Sequence, residues 1–228
     1  MRIIQDVATY GKGAGAVHIA EVRPPAPGAM PYSNSWNVSA VASQIAPYLQ
    51  IDRLGEHYLF EDQIASHMAQ PDKNGQYAIA YESGSTRVLA FSFTRAVRTG
   101  RLNMGTPNAT VFEQFGTTWP KEGDLRQEAN KHPADPDIRW RGCAALAHYV
   151  TASLSASRLV LIPDYFNDSR HGYFFECAGF RPVLRRNGEP GPEWGSGDCV
   201  LYGTAGDIAG SVRAMYLDLL GGPGVADA

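Results

Sequence analysis

The spacing of apolar positions along the chain changes several times, and each change marks an element. Val17-His18-Ile19-Ala20-Glu21-Val22 alternates and predicts a strand. A short apolar stretch and the turn Gly11-Lys12-Gly13-Ala14-Gly15 precede it, and Arg23-Pro24-Pro25-Ala26-Pro27-Gly28 breaks it. Residues 37–70 switch to helical spacing. Asn37 or Ser39 can cap a segment carrying Val41, Ile45 and Leu49, and Ile64 and Met68 repeat the spacing in a second segment. Gln76–Tyr81 and Arg87–Ala96 are rich in β-formers, and Glu82-Ser83-Gly84-Ser85 joins them as a hairpin. Ala109–Trp119 predicts another strand. A two-residue period puts Val111, Glu113 and Phe115 on one face, with Phe112 and Gln114 on the other.

Lys121–Asp137 is polar and reads as a solvated insertion, with a short helix over Asp124–Lys131 that Pro133 ends. Beyond residue 139, Cys143, Leu146, Ala147, Val150 and Leu154 share one helical face. Arg158–Pro163 is apolar on both faces, as a buried strand is. Ser169–Cys177 predicts a helix, with Gly179 at the left-handed cap position and Phe180 placed to pack back on the last turn. Pro182–Arg186 and Cys199–Tyr202 are the last strands, separated by the loop Asn187–Asp198. Ile208–Leu220 is a closing amphipathic helix.

One stretch adds chemistry to this pattern. Arg139-Trp140-Arg141-Gly142-Cys143-Ala144 opens the longest helical run. Small residues at a helix start leave backbone N–H groups uncovered, and the helix dipole favours an anion there. The flanking arginines suit phosphate. The glycine-rich turn at 11–15 lacks the Gly-Lys-Ser/Thr of a phosphate loop and reads as a plain turn.

Composition narrows the setting. The 228 residues suffice for one sizeable core, or for one domain with an extension. A net charge of −3 gives no overall drive toward nucleic acid, so none is expected as a partner. Cys143, Cys177 and Cys199 match no zinc spacing and no disulfide framework, so no metal site is expected. They read as reduced, with Cys143 and Cys177 as small core residues. No apolar run reaches membrane-spanning length, and the N-terminal apolar core is too short for a signal peptide. The expected location is cytoplasmic, with no membrane partner.

In this order the elements resemble the GNAT superfamily of acyl-CoA N-acyltransferases. Arg139–Ala144 matches the family's Gln/Arg-x-x-Gly-x-Gly/Ala motif. Asn167 … Phe175-Glu176-Cys177-Ala178-Gly179-Phe180 is similar to its Asn … aromatic-Glu-x-x-Gly-Phe segment, and the hairpin at 76–96 matches its second and third strands. The resemblance covers roughly residues 50–203. It makes 1–50 an N-terminal extension, 51–203 the acyltransferase domain and 204–228 a C-terminal helix and tail. It implies an α/β (α+β) fold with a mixed, mostly antiparallel twisted sheet flanked by helices.

The same resemblance implies acetyl-CoA or another coenzyme A thioester as donor. Arg139, Trp140, Arg141, Gly142, Cys143 and Ala144 would hold its pyrophosphate, and Asn167 and Phe175 would line its site. The pantetheine arm would lie between Ala109–Trp119 and Arg158–Asp164, which splay apart. On this view Gly142→Asp should abolish coenzyme binding with little loss of folding. Transfer to an amine requires a base, a polarised carbonyl and an acid for the leaving thiolate. Glu113 is the candidate base if Ala109–Trp119 is the strand beside the cleft. Glu128 takes that role if Leu125–Lys131 is that strand instead. The family's usual acid is a tyrosine at the position of Phe175; Tyr173 is the nearest hydroxyl, roughly 200° around the helix. His132 and His148 are further bases by chemistry, with His148 expected at the surface.

The leading reading is direct acyl transfer to a small-molecule amine. The alternatives are a non-catalytic or divergent GNAT-fold protein that binds coenzyme A, and one that takes an aminoacyl donor. Trp119, Tyr165, Phe166 and Trp194 either wall an acceptor pocket or pack the extension or a homodimer contact.

Overall fold

The computed structural model describes residues 3–23, 38–45, 75–97, 109–117, 138–165, 172–182, 199–214 and 223–224. The second helical segment before residue 70, the charged insertion, Asn167 and the loop Asn187–Asp198 lie outside the described residues, as does most of the expected strand Pro182–Arg186.

The elements in chain order are β1 (Ile3–Tyr10), β2 (Val17–Arg23), α1 (Val38–Ile45), β3 (Gly75–Glu82), β4 (Val88–Val97), β5 (Ala109–Thr117), α2 (Ile138–Ala152), β6 (Leu159–Tyr165), α3 (Gly172–Cys177), β7 (Arg181–Pro182), β8 (Cys199–Thr204), α4 (Ala205–Val212) and β9 (Pro223–Gly224). Among the described residues the strands form one sheet in the order β7-β8-β6-β5-β4-β3-β2-β1-β9. Every neighbouring pair is antiparallel except β5 and β6, which run parallel. A parallel pair needs a crossover, and α2 supplies it. The architecture is a mixed α+β fold with a mostly antiparallel open sheet flanked by helices. Among the described residues no helix is long and apolar enough to cross a membrane.

Within the stretch expected as an N-terminal extension, residues 3–23 are woven into the sheet. β2 pairs with β3 from Val17↔Glu82 to Glu21↔Ala78, and β1 pairs with β2 along its length. Alternation fixes which side chains face which layer. Val17, Ile19, Ala78 and Ala80 join the cluster under α2 and α4, while Ala20, Val22, Tyr77, Ile79 and Tyr81 join α1 on the other face. Gln44 of α1 grips the β3–β4 turn: its Nε2 donates to the Thr86 carbonyl at 3.0 Å, and its Oε1 accepts from the Val88 amide at 2.8 Å.

α2 is buried nearly all round rather than along one stripe. Cys143, Ala144, Ala145, Leu146 and Ala147 all lie in the core because the sheet covers one side and α4 another. Only small residues let a helix be enclosed this tightly. Gly142 is the extreme case: a Cβ there would sit 2.9 Å from the Leu89 Cβ and 3.5 Å from those of Ala80 and Ala90.

α3 ends as the sequence predicts. Gly179 has φ +86, its N–H donates to the Glu176 carbonyl, and the Phe180 N–H donates to the Phe175 carbonyl at 3.0 Å. This is a Schellman cap, completed by the Phe175 and Phe180 rings 5.6 Å apart. The closing helix starts three residues earlier than the pattern suggests. The Thr204 hydroxyl accepts from the Asp207 amide at 3.2 Å and fixes that start.

Candidate functional site

β5 and β6 hold together through only three pairs, Ala109↔Leu159, Thr110↔Val160 and Val111↔Leu161. Beyond them β5 stays paired to β4 as far as Thr117, and β6 stays paired on its other edge to β8 as far as Tyr165, opposite Cys199. Two adjacent strands therefore part at their C-terminal ends. Among the described residues no pair joins the two strands beyond Val111 and Leu161, and a seam of this kind suits an extended ligand with amides of its own.

The parting begins at an irregularity in β5. Phe93 pairs with Gln114 and Thr94 with Phe112, so Glu113 is an extra residue in the strand, a β-bulge. The bulge also breaks the expected two-residue period. Phe115 does not share a face with Val111. It packs edge-on against Phe112 with ring centroids 5.2 Å apart, and it stacks on Phe174 at 5.8 Å. Glu113 thus lies at the head of the seam; its side chain, like that of Tyr173, lies outside the described set. Since β5 occupies the place between β4 and β6, the alternative with Leu125–Lys131 as that strand falls, and with it the premise for Glu128. That residue itself is outside the described residues.

The mouth of the seam meets the start of α2. Gly142 lies over Ala90, which pairs with Thr117 at the open end. The position of the motif within the helix differs from expectation. With α2 beginning at Ile138, the amides of Gly142 and Ala144 fall inside the helical ladder. The uncovered N–H groups belong to the residues at the helix start, Ile138 to Trp140. Gly142 is there to let α2 approach the sheet, so the expectation that Gly142→Asp spares folding is corrected: Leu89 occupies the space its side chain would need. Cys143 and Ala144 are likewise core residues. The side chains of Arg139 and Trp140 lie outside the described set.

Arg141 is half-buried, and its Nε is buried with no hydrogen-bond partner among the described residues. Its terminal nitrogen lies 3.5 Å from where a Cβ on Gly15 would stand, so the β1–β2 turn flanks it. A partly desolvated guanidinium with a spare donor beside a helix start suits an anionic ligand. Phe175 sits at 5% exposure within an aromatic cluster of Phe115, Phe174 and Phe180. The ring anchors α3 beside the seam and carries no hydroxyl.

Two polar constellations escaped sequence reasoning. Glu21 is 3% exposed on β2, facing α2; its Oε1 accepts from the Tyr149 hydroxyl at 2.6 Å and from the Gln76 amide. A glutamate in the inward phase of an alternating strand was the available signal. His148, expected at the surface, is half-buried with its Nδ1 3.1 Å from the Tyr10 hydroxyl. Burial, and then the charge of Arg213, hold its imidazole below the usual pKa.

No family model and no curated protein matches the chain. Solved structures do. An uncharacterized protein from Bacillus halodurans aligns over 94% of this chain and 99% of its own, with TM-score 0.53 at 10% identity. That match establishes a shared fold. A Desulfovibrio desulfuricans protein described as "a putative acetyltransferase of the GNAT family" aligns over 82% of this chain and 99% of its own, with TM-score 0.42 at 11% identity.

Proposed function

We propose that the chain is an acyl-CoA-dependent N-acyltransferase, with acetyl-CoA the first donor to test and a small-molecule amine as acceptor. The observation that carries this reading is the open seam between β5 and β6. It offers backbone donors and acceptors at the right place for a pantetheine arm. The start of α2 and the spare Nε of Arg141 stand at its mouth for the pyrophosphate. Ile138–Trp140 would supply amides there and Arg141 the charge.

In direct transfer the amine nitrogen bonds to the thioester carbonyl carbon, the carbon–sulfur bond breaks, and protons move from the amine and to the thiolate. Holding both partners in register supplies much of the rate, on the order of 7–11 kcal/mol at best. Glu113, at the bulge that opens the seam, is the candidate base. Tyr173 on α3 is the candidate acid. Calorimetry with acetyl-CoA and with coenzyme A tests the donor, and thioester turnover against a panel of amines tests the reaction. Binding of both ligands with turnover on at least one amine is expected; no binding at millimolar acetyl-CoA overturns the reading.

A second reading, a coenzyme A binder without turnover, is favoured by Phe175, whose ring stands where the family's acid usually does and has no proton to give. Donor binding without thioester loss on any amine would select it.

A further inference from the structure

We propose that Tyr10 and His148 form a pH-controlled latch, which fastens the end of β1, and the C-terminal strand β9 paired to it, onto α2. The pair is far apart in sequence and lies outside the seam. Tyr10, the last residue of β1, is buried with its hydroxyl 3.1 Å from Nδ1 of His148, and the two rings meet edge-on with centroids 5.7 Å apart. β9 is bound to this same strand end, through Thr9↔Gly224 and Tyr10↔Pro223. The chain leaves α4 at Arg213, whose charge acts on His148, and returns at β9 beside Tyr10. The latch therefore lies beside both the end of α4 and the strand end that carries β9.

The proton inventory gives the pair its direction. Burial pushes the Tyr10 hydroxyl up, so it keeps its proton, and it donates to Nδ1 in the tautomer that carries the imidazole proton on Nε2. Among the described residues, Tyr10 from β1 bonds to His148 and the charge of Arg213 from the end of α4 acts on it. Its neighbours one turn away on α2, Ala144, Ala145, Thr151 and Ala152, carry no charge. Glu21, the carboxylate that β2 turns toward α2, is taken by Tyr149 and Gln76. A second proton on the imidazole turns Nδ1 into a donor, so the Tyr10 hydroxyl must reverse and its own proton loses its acceptor, and it puts a half-buried cation next to Arg213. A histidine held below its unfolded value binds fewer protons folded than unfolded. The fastening is therefore complete above the ordinary imidazole pKa, about 6.5, and is lost as pH falls below it. Since Tyr10 leads into the turn whose Gly15 flanks Arg141, opening the latch also loosens that flank.

Hydrogen exchange of the full chain tests this. Between pH about 7.5 and about 5.5, after correction for intrinsic exchange, peptides containing β1 and β9 should lose about tenfold in protection while the β3–β4 hairpin keeps its own. His18 is the other imidazole beside β1. It lies on the opposite face of the same strands, with Nδ1 2.9 Å from the Thr9 hydroxyl and its ring stacked on Tyr81. His148→Gln should abolish the pH step and His18→Gln should keep it. Tyr10→Phe, which retains the ring packing, should leave both segments weakly protected already at the higher pH. Uniform protection in the wild type, a step that survives in His148→Gln, or one that vanishes in His18→Gln overturns the proposal. So does an imidazole titration of His148, read by NMR in the wild type, that lies above the ordinary value.

Discussion

The β3–β4 seam and the β5–β6 seam belong to one sheet and are built in opposite ways. β3 and β4 form a hairpin paired from Gly75↔Arg95 to Tyr81↔Val88. Gln44 clamps its turn from one face and Gly142 is pressed onto it from the other. β5 and β6 are joined across a long crossover and meet at three positions before they part. α2 lies over the first seam and begins at the mouth of the second. The difference teaches that a closely packed hairpin stands beside a seam of only three rungs among the described residues. A cleft that must stay open needs a rigid neighbour to hold its shape.

The sharpest way to break this contrast is Gly142→Asp. The new Cβ would meet Leu89 and the carboxylate would be buried, so stability should fall by several kcal/mol, roughly 3 or more, in chemical denaturation. Normal stability with lost donor binding would instead return Gly142 to the anion site. Tyr149→Phe comes next. It removes one donor from buried Glu21 on the packed side and should cost about 1–3 kcal/mol, with donor affinity unchanged. Equal melting temperatures for variant and wild type would mean that Glu21 does not depend on Tyr149.

Arg141→Ala acts on the open side. Loss of a charge-assisted contact of about 1.5–3 kcal/mol predicts a roughly ten- to hundredfold weaker affinity for acetyl-CoA, with little change in melting. An unaltered affinity would remove Arg141 from the mouth of the seam. The smallest effect is expected from Phe175→Tyr. Its ring is enclosed by other aromatics, so the added hydroxyl should cost about 1 kcal/mol and leave turnover unchanged. A rise in amine acylation without that cost would place the ring edge at the reacting thioester.

The packed side could be read from the sequence because its signals are local. The 76–96 hairpin follows from β-formers around a Gly-containing turn, and the cap at Gly179 from a glycine placed just past an apolar helix. The open side could be read only in outline. The motif at Arg139–Ala144 located the helix, but not how far into it Gly142 lies, since that depends on Leu89 fifty-three residues earlier in the chain. The bulge at Glu113 left no trace in composition, and a strict two-residue period misplaced Phe115 as a result. His148 looked solvent-facing because Tyr10, the residue that covers it, is 138 positions away. β1 and β9 carry too short or too irregular a pattern to announce themselves, so the sheet extends further toward both termini than periodicity alone suggests.

The three rungs between β5 and β6 have a mechanical meaning as well. Among the described residues they are what joins, across the sheet, the wing of β6, β7 and β8 to the wing of β1–β5 and β9. An occupant of the parted region would add rungs of its own, acting as an inserted strand that stitches the wings together. If the seam takes an acyl donor as proposed, that donor would be a beam in the frame as much as a reactant, and its departure would leave the two wings joined across the sheet by those three rungs.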